Sequence, residues 1–326
     1  MSRQNNHGGD MPDIRGINGL LAHFLGPVET LSGAELENRL KRLSGKILPL
    51  GILTCIFFIA AFAGFFFGVI ALGFLKGFFI ALSLLIVFGI LYVRVYLLRK
   101  EAKMLVGHNI VGGILTDVFE AVEYAPTGFI DEAQIRNAAL IDRGWNSCTG
   151  SDHIKAVYKG VRFTLSDIRL VWRKHDADGS QSRRTVFKGQ WLIFELNRSL
   201  EAPLYIRERR SRFGGRKSNI ETANAVFDGV FQVLADDQQA ARRILTPRLT
   251  ECLVDLSARR GTRICMCFKD NEVDIALCSG RDLFEPNVRK LIGGMQVEEM
   301  REQMRQEALG IAAVMDELLR IECLFQ

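Results

Sequence analysis

The residue types that could do chemistry fall into four groups. Arg207, Arg209, Arg210, Arg212, Arg216 and Lys217 crowd around Gly214-Gly215, with Glu208 as the one acid among them. A basic segment of this kind suits anionic lipid headgroups, where each cation adds about 1 kcal/mol close to the surface. Nucleic acid is a poorer partner, because Phe213 is the one aromatic within the run for a base to stack on. A solvated loop is the plain alternative. The cysteines form the second group: Cys55, Cys148, Cys252, Cys265, Cys267, Cys278 and Cys323, with no Cys-x-x-Cys pair. Cys265 and Cys267 fall two apart on an expected strand and so share a face. With Cys278 beyond a hairpin turn they could hold a soft metal, but a core face of small thiols is the simpler expectation. Third, His153 and His175 flank Ser166-Asp167, from which a Ser-His-Asp set can be drawn, but no Gly-x-Ser-x-Gly elbow supports it. Fourth, Asp176-Ala-Asp178-Gly179-Ser180 begins like a calcium loop. Gln181 and Phe187 then stand where the loop needs Gly and Glu. Phosphate-cradling glycine loops are absent from the sequence. No catalytic residue is assigned, and neither a metal nor a cofactor is expected.

These groups must be positioned by a chain with an unusual distribution of apolar residues. The 326 residues are 48% hydrophobic and 24% charged, and the mean hydropathy is +0.11. That excess is concentrated between Ile47 and Leu98. Ile47–Leu75 runs 29 residues without a charge, and after Lys76-Gly77 a second stretch runs 16 residues to Arg94. A span needs about 20 apolar residues, so the first suffices and the second does once Arg94 snorkels. Residues 1–103 hold 11 Lys+Arg against 6 Asp+Glu, while the rest is formally neutral. Arg39, Lys41, Arg42 and Lys46 precede the first span, and Arg94, Arg99, Lys100 and Lys103 end the second. The positive-inside rule then places both termini in the cytoplasm. Gly64-x-x-x-Gly68 offers a small-residue face, for packing within the hairpin or for a homo-oligomer.

The remainder reads as α+β. Ser32 and Glu35 form a capping box for the helix that enters the membrane. Glu101–Tyr124 and Asp131–Arg143 have helical spacing. Ile154–Tyr158 and Val161–Trp172 flank a Lys159-Gly160 turn, and Thr185–Leu196, Leu204–Arg209 and Val226–Leu234 read as strands. Asp237–Ala258 reads as a helix containing Pro247, with Thr246-Pro247 assigned a structural role. Thr262–Phe268 and Val273–Cys278 read as a hairpin about Lys269–Glu272, and Pro286–Phe325 as helix broken at Gly293-Gly294. Strands in runs imply a largely antiparallel sheet with packed helices. The expected division is an N-terminal segment 1–46, a transmembrane hairpin 47–99, membrane-proximal helices 100–144, an α+β domain 145–290 and a C-terminal helix 291–326.

Three blocks carry a resemblance. They are Thr185-Val186-Phe187-Lys188-Gly189 with Trp191–Leu196 and Asn197-Arg198; Phe227-x-x-x-Phe231-Gln232-Val233 with Asp237 and Ala241–Pro247; and Phe268-Lys269-x-Asn271, Ile275-Ala276 and Asp282–Glu285. Together with the two spans, these resemble the bacterial membrane proteins of the domain-of-unknown-function family 3137, over roughly residues 35 to 290. Where the family tends to show a Gly-x-Thr turn after Asn197, this chain has Ala202-Pro203. The resemblance implies fold and topology in a bacterial inner membrane and carries over no catalytic residue. The expectation is a membrane-anchored cytoplasmic interaction or scaffold domain, with the bilayer and an unidentified protein as partners. A membrane-tethered enzyme with a pocket in the α+β domain is the alternative. Regulated transport is disfavoured, since neither span has an ionisable residue in its interior.

Overall fold

The computed structural model describes residues 31–141, 143–175, 181–209, 220–260, 263–285 and 297–319. Helix α1 (Gly33–Leu72) and helix α2 (Phe74–Val106) form an antiparallel pair. The capping box is made: the Ser32 amide and hydroxyl both donate to Glu35 Oε2. The chain reverses at Gly73, whose φ of 88° suits glycine. The turn therefore comes a few residues before Lys76-Gly77, and Leu75 and Lys76 open α2. At Gly64 an added Cβ would lie 3.3 Å from Leu84 Cδ1 and 3.6 Å from Ile80 Cγ2. The small-residue face there packs against the other arm of the hairpin.

At 1.5 Å per residue the 40-residue α1 is about 60 Å long, roughly twice the hydrocarbon thickness of a bilayer. The excess has a use. Leu36, Leu40 and Leu43, near the start of α1, are buried with Ala102, Leu105 and Val106 of α2 in the main core. Beyond them the helices expose Ile59, Phe62, Phe67 and Ile70. A soluble surface does not tolerate so large an apolar patch, and both helices are long and apolar enough to cross a membrane. The chain is a membrane-associated protein.

α2 continues through a π-helical turn (Gly107–Val111) into α3 (Gly112–Val118). Then the backbone extends: Glu120–Ala125 is strand β1, paired antiparallel with β2 (Ser147–Tyr158). Helical spacing had suggested helix to Tyr124, but Val118 and Val122 fit both periods and pairing with β2 decides. Helix α4 is short (Glu132–Ala138), capped by Asp131 Oδ1, which accepts from the Ala133 amide, and closed by Ala139 at φ 48°. β2 turns at Lys159-Gly160 into β3 (Val161–His175), as expected.

β3 pairs with β4 (Gln181–Glu208), a single 28-residue strand. It was expected as two strands separated at Ala202-Pro203. The strand continues because the extra residues are absorbed as register shifts against β6 on either side of Leu200, and a bulge is where a strand tolerates proline. β6 (Arg263–Cys278) is likewise one strand, lying antiparallel along β4. The expected hairpin about Lys269–Glu272 is absent: Asp270, at φ 55°, marks an irregularity within it. Gly189 shows how closely the two strands approach, since a Cβ there would lie 2.0 Å from the Leu277 carbonyl oxygen.

Residues Ala225–Val230 form helix α5, not strand, because Asn224 Oδ1 caps the Val226 and Phe227 amides. Strand β5 is therefore only Phe231–Ala235, at the end of the β1-β2-β3-β4-β5 order. Helices α6 (Gln238–Ile244) and α7 (Pro247–Arg260) replace one long helix. Thr246 Oγ1 accepts from the Leu249 amide and Pro247 opens α7, the structural role assigned to that pair. Helix α8 (Val297–Leu319) completes the order. The antiparallel sheet has two buried faces. One packs Leu165, Leu192, Phe268 and Ile275 against the bases of α1 and α2 and against α5–α8. The other packs Ile168, Phe187, Trp191, Cys265 and Cys267 beneath α4.

Candidate functional site

A polar row crosses the α8-facing side of the sheet. Asp167 on β3 lies opposite Gln190 on β4, which lies opposite Leu277 on β6. The neighbouring row is apolar, with Leu165 opposite Leu192. Gln190 Nε2 donates to Asp167 Oδ1 at 2.8 Å and to the Arg281 carbonyl at 2.9 Å. The Leu283 amide donates to Asp167 Oδ2 at 2.5 Å. Asp167 is 1% exposed. Burial, and then the charge of Asp152, push its carboxyl up to about 8.

Asp152 sits where β2 slips in register against β3, at φ 56° and with no exposed surface. Lys103, at the end of α2, reaches it: Nζ donates to Asp152 Oδ2 at 2.7 Å, to Ser151 Oγ at 3.0 Å and to Glu285 Oε2 at 3.3 Å. Tyr124 OH donates to Asp152 Oδ1 at 2.7 Å. Burial, and then Asp152, raise the Tyr124 phenol far above its ordinary range. Burial alone would lower the Lys103 ammonium, but Asp152 and Glu285 outweigh it, and its pKa is raised.

Residues Ser279–Glu285 thus act as a strap between these groups. The Gly280 amide donates to the Lys188 carbonyl, and Lys188 Nζ pairs with Asp282 at 2.9 Å. The Phe284 amide donates to Glu307 Oε2 on α8 at 2.8 Å, with Phe284 buried at φ 48°. Glu285 closes on Lys103. Strap, sheet and α8 enclose a cleft of about 360 Å³, within the usual range for small-molecule sites. Its floor is Leu165, Leu192 and Leu277, its sides Leu283, Ile311 and Val314, and its mouth Ser279, Arg281, Gln303 and Gln306.

The raised carboxyl of Asp167 gives the fold a pH dependence. From its ordinary value of 3.8 up to about 8, the unfolded state holds fewer protons at this group than the folded state does. Stability from Asp167 is therefore present below pH 4 and lost as pH rises through 8. At the limiting slope of about 1.4 kcal/mol per pH unit, the full chain should lose about 2.6 kcal/mol from this group between pH 5 and 7. Asp167→Asn should flatten that fall in the urea midpoint. Equal slopes for wild type and variant would show Asp167 to be ionised in the fold.

The sequence-marked residues fare unevenly. His153 Nδ1 and Ser166 Oγ do meet, at 3.0 Å, but Ser166 is fully buried and its oxygen also accepts from the Ile130 amide. No external substrate reaches that hydroxyl. Burial, and then Lys155, lower the His153 pKa, with Glu123 opposing them. Cys267 lies opposite Tyr205, and Cys265 opposite Arg207, instead of the expected Asp274 and Ala276. Both cysteines are core residues, and burial pushes the Cys267 thiol up to about 12. Among the described residues, no three His, Cys, Asp or Glu gather to hold a metal. Arg207 belongs to the sheet and not to a basic loop: it is 5% exposed and donates to the Ala139 carbonyl at 3.0 Å. Arg209 Nε donates to the Asp228 and Phe231 carbonyls. Arg210, Arg212, Arg216 and Lys217 lie outside the described residues, as do Asp176–Ser180, Gly293-Gly294 and Cys323.

The family model described as "Protein of unknown function (DUF3137)" matches residues 185–319, confirming the resemblance over β4 to α8. The strap, α8 and most of the cleft lie inside the match, whereas Lys103, Tyr124, Asp152 and Asp167 lie outside it. No curated protein matches this chain. The crystal structure of the mycobacterial trehalose monomycolate transport factor A, TtfA, aligns at 11% identity and a TM-score of 0.33, covering 60% of this chain and 90% of that one.

Proposed function

We propose that this chain is a membrane-anchored interaction domain that recognises its ligand in the cleft beneath α8. In this reading α1 and α2 both span a bacterial inner membrane and both termini are cytoplasmic, an orientation that the distribution of Lys and Arg about the spans supports. One observation carries the proposal. Lys103, the last of the cations that end the second span, is also the partner of Asp152 and of Glu285 on the strap. The cleft is thereby held at a fixed position relative to the helix that leaves the bilayer. We further propose that the segment from Arg209 to Lys217 meets anionic headgroups. The enzyme alternative has less support. Among the described residues no His, Cys, Lys or Tyr lines the cleft, the Ser279 hydroxyl donates to the Arg281 carbonyl, and both oxygens of Asp167 are already occupied.

The test is a photo-crosslinking side chain at Gln306, at the cleft mouth, in the full chain in native membranes. The control position is Arg162, which is exposed on β3 away from the cleft. A discrete adduct from Gln306 and none from Arg162 is the expected outcome. Equal or absent adducts at the two positions would remove the cleft as a recognition site.

A further inference from the structure

We propose that the cleft takes an aliphatic chain capped by a carboxylate, and this rests on the recognition role proposed above. The floor is saturated side chains from three adjacent strands, Leu165, Leu192 and Leu277, facing Ile311 and Val314 of α8. Among the described residues no aromatic ring lines it, so a planar base or ring would find none of them to stack on. Helix α8 is open at one point: Gly310, inside the helix, lines the cleft. A glycine in a helix interior costs roughly 1 kcal/mol relative to alanine. Gly310 falls on the helix face that carries Gln306, Glu307, Ile311 and Val314, so a side chain there would project toward the cleft.

The charge of the ligand head follows from the strap. Its acids are matched, Asp282 by Lys188 and Glu285 by Lys103. Glu307, the one acid lining the cleft among the described residues, accepts from the Phe284 amide and from Gln303 Nε2. Arg281 is different. It is exposed at the mouth, and among the described residues it is the one cation lining the cleft and its guanidinium makes no ion pair. Gln303 and Gln306 flank it; Gln303 Nε2 donates to Glu307 Oε1 at 3.5 Å and Gln306 Nε2 to Glu302 Oε1 at 2.7 Å, and each amide keeps a second N–H to donate. A planar guanidinium between neutral donors suits a carboxylate, which it can hold through two parallel hydrogen bonds. The carboxyl of Asp167, bonded to Gln190, is 1% exposed, and burial pushes it up to about 8, which lessens its repulsion of an anion.

The same chemistry is offered by a short fatty acid and by a peptide chain end in leucine. The test is fluorine NMR of ω-fluorinated hexanoate with the full chain in nanodiscs, empty nanodiscs being the baseline. Unlabelled hexanoate, acetyl-leucine, hexanol, hexylamine and acetate serve as competitors. Broadening of the hexanoate signal, reversed by unlabelled hexanoate but not by hexanol, hexylamine or acetate, is expected. Arg281→Gln should weaken binding about tenfold, the loss of one charge-assisted hydrogen bond. Gly310→Leu should abolish binding while leaving the urea midpoint unchanged or raised. Acetyl-leucine competing better than hexanoate would support the proposal with a peptide end as source, and the reverse order would support it with a free acid. Competition by hexylamine or acetate equal to hexanoate, or binding that survives Gly310→Leu, would overturn it. A discrete Gln306 adduct without hexanoate binding would overturn the ligand class alone, whereas loss of that adduct would overturn the recognition role itself.

Discussion

Replacing Lys103 by Met should destabilise the fold by about 3–5 kcal/mol, the usual cost of leaving one partner of a buried ion pair uncompensated. Asp152 has no exposed surface. Without Lys103 it would keep, among the described residues, the Tyr124 and Ser151 hydroxyls as side-chain donors, and neither carries a charge. Lys103 itself is 16% exposed on its side chain, so solvent screens the pair weakly. Its second partner contributes less: Glu285 is 58% exposed, and Glu285→Gln should cost at most about 1 kcal/mol. The measurement is urea unfolding of the full chain in micelles, followed by the fluorescence of the fully buried Trp191. Lys103→Met combined with Asp152→Asn removes both charges, and its loss should fall well short of the sum of the single losses. A Lys103→Met chain within about 1 kcal/mol of wild type would contradict the ion pair as an anchor. The full chain is needed because a fragment cut after Lys103 would lose this residue and Leu36, Leu40, Leu43 and Ala102 from the main core.

Local signals in the sequence predicted local structure well. The Ser32–Glu35 capping box, the Lys159-Gly160 turn and the Thr246-Pro247 helix start each depend on residues a few positions apart, and each is formed. The failures have a different physical origin. Lys269–Glu272 is polar enough for a turn, yet β4 offers a partner along the whole length of β6, and pairing with it outweighs local composition. The same holds for Ala202-Pro203, carried through as an irregularity in β4. The site was almost wholly hidden. Lys103 was legible only as a membrane-flanking cation, because Asp152 is 49 residues away and Glu285 is 182. Ser166 and His153, visible as a chemical pair, do meet, but in the core. Arg281 and Gly310 carry no motif, and only the packing of α8 on the sheet brings them to one cleft.

The last expected result concerns the matched blocks themselves. Phe227, on α5, and Phe231, on β5, are fully buried, with ring centroids 5.0 Å apart and an interplanar angle of 23°. Phe231→Ala in the full chain should lose about 3–5 kcal/mol, the transfer term for the ring plus a cavity that α5 and α6 cannot close. The cavity would persist because the neighbours are fixed by other bonds. Asn224 caps α5, Asp237 caps α6 and Arg209 Nε holds the Phe231 carbonyl. Phe227→Ala should lose a similar amount. The double substitution should lose less than the sum, because the stacked pair can be removed only once. Val226, next to Phe227 but 63% exposed, supplies the control, and Val226→Ala should stay within about 0.5 kcal/mol of wild type. If Phe231→Ala matched that control in the urea midpoint, the Phe-x-x-x-Phe spacing would have no packing role. The direct passage from helix α5 at Val230 into strand β5 at Phe231 would then need another cause.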